Sequence, residues 1–221
     1  MFVGHYGVSF AAQRADRSIP LWVLFLATQF LDVLWAPFVL FGIEKVRIVP
    51  GITATNPLDL YYMPYTHSLV GAVAWSFVGG LAYRVLARPA SRRPAIIVGL
   101  AVFSHWILDF LVHRPDLPLY DNAAKVGLGL WNLPAIALGL EAILLFGGMW
   151  LCLGARVLRS PAILIFAVLM LALQVYVFFG PPPGSDRMAA WTALVAYGVF
   201  AAVIWWLEDR TGRRMQVDLP R

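Results

Sequence analysis

Six apolar runs, each close to twenty residues long, constrain this chain more than any other feature. They cover roughly 20–42, 66–87, 94–113, 132–153, 160–180 and 188–207. About 20 apolar residues span a bilayer as helix, because only a helix or a closed barrel satisfies its own backbone there. Composition agrees: 61% of residues are hydrophobic, only 13% are charged, and mean hydropathy is +0.74. A soluble globule of 221 residues could not hide that much apolar surface. The expected fold is all-α: a polytopic bundle of about six spanning helices in a single domain covering 1–221. Residues 1–13 are apolar but short, lack a basic start and contain His5. They read as an N-terminal half-helix buried against the bundle rather than as a cleavable leader.

Pro20, Pro94 and Pro161 stand near helix starts, where a missing N–H costs little. Pro181-Pro182-Pro183-Gly184 ends the fifth run. The segment 43–65 reads as a long loop with turns at Pro50-Gly51 and Asn56-Pro57. One cysteine, Cys152, excludes a disulfide framework and a thiolate metal cluster.

The +5 net charge belongs to loops facing the cytoplasm and not to a nucleic-acid surface. With the N-terminus inside and six spans threaded, only Lys45, Arg47, Arg114, Lys125 and Arg187 fall outside. The other 12 of the 17 basic residues fall inside. This asymmetry predicts both termini on the cytoplasmic side.

Ionisable groups at bilayer depth cost about 3 kcal/mol or more each, so each one asks for a reason. All four histidines, His5, His67, His105 and His113, lie in or beside apolar runs. His105, Asp109 and His113 are four residues apart and share a helix stripe, so His105 and Asp109 can reach one ion. Asp32 sits midway along the first span, His67 opens the second, and Glu141 lies within the fourth. At about 1.5 Å per residue, His5, Asp32, His67, His105 and Asp109 converge in the central to outer part of the membrane. Scattered polar residues would not share a depth. Three imidazoles and two carboxylates suit zinc, with manganese or iron as alternatives. Set against this is a polar seam that only joins helices, a use favoured here for Glu141. Ser68 and Ser104 neighbour histidines in sequence and are assigned hydrogen bonds behind the ligands.

These residues resemble the bacterial membrane-bound metal-dependent hydrolases of the YdjM type. The resemblance rests on Gly4-His5, Asp32, Thr66-His67-Ser68 and Ser104-His105-Trp106-Ile107-Leu108-Asp109, within residues 1–120. The family often has a second aspartate where this chain has Leu34, and Arg-Gly where it has Pro64-Tyr65. The resemblance implies metal ligands His5, Asp32, His67, His105 and Asp109. It also implies phosphoester hydrolysis, similar to zinc phospholipases C and nucleases.

The function expected is hydrolysis of a phosphoester or lipid-like amphiphile in the membrane by a metal-activated water. Asp32 or Asp109 would serve as base, and Arg114 with His113 would hold the substrate at the outer mouth. The rival expectation is an ion-binding or transport protein without turnover.

Overall fold

The computed structural model describes residues 1–153 and 161–217. Of the basic residues assigned to the inner side, Arg156, Arg159 and Arg221 lie outside the described residues. The helices are α1 (His5–Ala15), α2 (Leu21–Thr28), α3 (Phe30–Leu40), α4 (Leu69–Ala87), α5 (Arg93–Val112), α6 (Pro134–Leu153), α7 (Pro161–Phe179) and α8 (Asp186–Val217). Five are long and apolar enough to cross a membrane. The pair α2 and α3, bent by 53°, passes the same test when taken together, as a broken span or a re-entrant loop. The chain is an all-α polytopic membrane bundle. Its outer surface is apolar, with Phe77 75%, Leu86 83% and Ile143 72% exposed. A soluble monomer does not tolerate such a belt.

The half-helix α1 lies inside the bundle, packed on α6, α2 and α5. Its contact with α6 is backbone on backbone. A Cβ on Gly7 would stand 2.0 Å from the Leu144 carbonyl oxygen, and one on Gly148 would stand 2.0 Å from that of Gly7. Only glycine at both positions lets the two helices touch. One apolar core then surrounds α1 through Tyr6, Phe10, Phe25, Leu145, Met170 and Phe200. The Glu208 carboxylate of α8 accepts the N–H groups of Leu21 and Trp22. It thereby caps α2, whose N-cap residue Pro20 supplies no side-chain acceptor.

The segment 43–65, read as loop from sequence, contains a hairpin of β1 (Lys45–Ile48) and β2 (Leu58–Tyr62). The strands are antiparallel, with Arg47 opposite Asp59 and a bulge between Lys45 and Arg47. The pattern was missed because the strands are four and five residues long, too short for a clear alternation. The hairpin covers one end of the bundle with the segment linking α5 to α6, to which Thr55 bonds at the Trp131 carbonyl.

Candidate metal centre

The break between α2 and α3 sets up the site. Helix α2 stops at Thr28, and the Thr28 carbonyl turns to accept His105 Nδ1 at 2.7 Å. A carbonyl can be diverted from its helix in a membrane only where protein surrounds it. Helix α3 then carries Asp32 in its first turn. Helix α5 supplies His105 and Asp109, with His113 directly after its last residue. His67 stands two residues before α4, and His5 opens α1.

The five expected ligands cluster together, as two groups of three donors that share His105. His67 Nε2 is 3.2 Å from Asp32 Oδ1 and 3.7 Å from Asp109 Oδ2. His105 Nε2 is 3.7 Å from Asp32 Oδ1 and 3.1 Å from Asp109 Oδ2. His5 Nε2 is 3.2 Å from Asp109 Oδ1, and its ring stacks on that of His105 at 4.0 Å. The Met1 amino group also lies 2.5 Å from Asp109 Oδ1. Two groups have metal-binding spacing: His5 with His105 and Asp109, and Asp32 with His67 and His105. The His and Asp109 side chains here are at most 4% exposed, whereas the Asp32 side chain is 16% exposed.

The donor chemistry and spacing fit a divalent ion. Zinc bound at about 2.1 Å by four tetrahedral donors sets them about 3.4 Å apart. The imidazole–carboxylate separations given above run from 3.1 to 3.7 Å, near that edge, and the donors form two groups of three that share His105. His105 Nε2 is buried and lacks hydrogen-bond geometry to any partner, although Asp109 Oδ2 is 3.1 Å away. Its Nδ1 proton goes to the Thr28 carbonyl, so Nε2 holds a lone pair facing the carboxylates.

Several side chains have partners that the sequence did not suggest. Tyr197 of α8 donates to Asp32 Oδ2 at 2.6 Å, leaving Oδ1 toward the histidines. A tyrosine inside an apolar span was the available signal, because a buried phenol needs a partner. Glu141, expected only to join helices, accepts the backbone N–H groups of Phe2 at 3.0 Å and Gly4 at 2.5 Å. Gln174 accepts from Val3 N–H, and Gln29 donates to the Phe2 carbonyl. The segment before His5 is thus held by polar groups from α6, α7 and the α2–α3 break.

Ser68 and Ser104 do not stand behind the histidines. Ser68 caps α4 by accepting Gly71 N–H, and Ser104 donates to the Ala101 carbonyl in its own helix. Ser104 and His105 are adjacent on a helix and point apart. Thr66 stands behind His67 and the Thr28 carbonyl behind His105 instead.

His113 and Arg114, expected to meet substrate, sit between the ligands and the hairpin. His113 Nδ1 donates to Asp116 Oδ1 at 2.9 Å, and its Nε2 lies 3.5 Å from Asp109 Oδ2. Its ring packs on Trp131 at 4.2 Å. Asp116 and Asp59 together hold the Arg114 guanidinium, through Nε at 3.1 Å and through an Nη2 contact. Asp59 also binds Arg47 at 2.5 Å. A file of alternating charges therefore runs from the hairpin surface to Asp109.

No family model, curated protein or solved structure matches the chain.

Proposed function

We propose that this chain is a membrane-embedded metal-dependent hydrolase of a phosphoester on an amphiphilic substrate. His5, Asp32, His67, His105 and Asp109 would hold the metal, with zinc first in preference. The reading is carried by one observation: two three-donor groups of metal-binding spacing share His105, whose Nδ1 proton is tied to a carbonyl. A bound divalent ion supplies Lewis acidity and a water acidified toward neutral pH. The protein's own groups divide the remaining work. Asp32 and Asp109 supply negative charge in a water-poor interior. His113, with Nδ1 on Asp116 and Nε2 3.5 Å from Asp109 Oδ2, is the imidazole placed to exchange a proton with Asp109. Arg114, partly exposed at the hairpin end, places positive charge where an anionic headgroup would arrive. The basic-residue asymmetry supports cytoplasmic termini and a hairpin end facing outward, and the resemblance to the YdjM type suggests a bacterial inner membrane.

A second reading is favoured by the burial of the same donors. The His and Asp109 side chains are at most 4% exposed, as suits a closed site that binds without turnover. The deciding experiment pairs elemental analysis of detergent-purified protein with hydrolysis of a fluorescent phospholipid in bicelles. About one divalent ion per chain and turnover abolished by His105→Ala support the hydrolase. Stoichiometric metal without turnover favours the binding protein, and metal-free protein overturns both.

A further inference from the structure

Glu44 stands immediately before the hairpin, and the sequence offers no reason to connect it with the histidines. It is 1% exposed. One carboxylate oxygen accepts the backbone N–H groups of Tyr65 and Thr66, each at 2.9 Å. The other accepts the Thr66 hydroxyl at 2.6 Å. The same hydroxyl oxygen lies 2.7 Å from His67 Nδ1. Glu44 therefore ties the two feet of the hairpin together beside a candidate ligand.

For a neutral His67, the form that binds a metal, the hydrogen-bond directions form a chain with one solution. A carboxylate accepts only, so the Thr66 proton points at Glu44. The Thr66 oxygen then offers lone pairs to His67, so the Nδ1 nitrogen carries the hydrogen. That leaves the His67 lone pair on Nε2, the atom facing Asp32 Oδ1 at 3.2 Å. The neighbouring imidazoles have the same polarity by shorter routes: His105 Nδ1 meets the Thr28 carbonyl and His113 Nδ1 meets Asp116. We infer that Glu44, acting through Thr66, is a positioning residue that fixes the His67 tautomer for metal binding. The inference rests on the metal reading above for its purpose, but not for its hydrogen-bond logic.

Groups behind metal-bound histidines are worth about 10–100-fold in affinity. Glu44→Gln is the informative change. Its oxygen can keep both backbone bonds, while its NH2 now donates to the Thr66 oxygen. The Thr66 proton is released toward His67 Nδ1, and the Nε2 nitrogen gains the hydrogen that blocks ligation. The test is nitrogen NMR of 15N-histidine-labelled, metal-free full-length protein in detergent, with Co2+ titration of the same samples. Wild type and Thr66→Ser should show a pyrrole-type Nδ1 and a pyridine-type Nε2 at His67. Glu44→Gln should invert the two and weaken Co2+ binding about 10-fold or more. Should Glu44→Gln fail to fold, Thr66→Val carries the test, because it removes the acceptor at Nδ1 while Thr66→Ser retains it. A wild-type His67 with the hydrogen on Nε2 overturns the inference, as does a Glu44→Gln or Thr66→Val protein with unchanged tautomer and Co2+ affinity. Wild-type protein with the expected tautomer but no Co2+ binding refutes the metal reading and leaves the relay standing.

Discussion

Replacing Glu141 probes how the far helices hold His5 in place. The carboxylate is fully buried and accepts the N–H groups of Phe2 and Gly4, one on each oxygen. A buried N–H left without an acceptor costs about 1–3 kcal/mol. Glu141→Gln keeps one acceptor oxygen and turns the other into a donor, so one N–H loses its partner. Glu141→Leu keeps similar bulk and supplies no acceptor, so both do, at about 2–6 kcal/mol in total. Both changes also remove a buried charge, whose lost desolvation penalty offsets part of the damage. The Gln NH2 is itself a buried donor set against an N–H, so the two variants each leave two donors unsatisfied. Both should therefore be less stable than wild type, by about 1–3 kcal/mol for each such donor less that offset. SDS-driven unfolding in mixed micelles, followed by tryptophan fluorescence, measures the loss. Gln and Leu variants as stable as wild type would refute the assignment of Glu141 as the acceptor for this segment.

Other expectations follow from the same contacts. Asp109→Asn should remove most bound metal as read by elemental analysis, since Asp109 faces His5, His67, His105 and His113; Asp116→Asn should lower occupancy less, acting only through His113. Gly148→Ala should lower stability by more than about 1 kcal/mol in micelle unfolding, because its Cβ has no room against the Gly7 backbone. In a Cys152→Ser background, a cysteine at Ala54 should react with an impermeant thiol reagent in intact cells and one at Ser91 should not; the reverse pattern inverts the proposed orientation.

The amino-acid sequence alone determined the solvent and the long apolar helices. Twenty-residue apolar runs admit little besides spanning helices, since each helix bonds its own backbone without help from neighbours. Counting 1.5 Å per residue along such rods also gave a common depth for His5, Asp32, His67, His105 and Asp109. The stripe of His105, Asp109 and His113 was legible for the same reason, being a property of one helix. Angles and pairings between rods were not legible. The 53° break after Thr28 has no proline at the bend, and only the tertiary structure reveals the carbonyl it presents to His105. Glu141 reaches Phe2 and Gly4 across more than 130 residues, Tyr197 reaches Asp32 across 165, and Glu44 reaches Thr66 across a hairpin. Such partners have no local periodicity to betray them. Each satisfies a polar group that lipid cannot, and which group lies within reach is decided only when the helices pack.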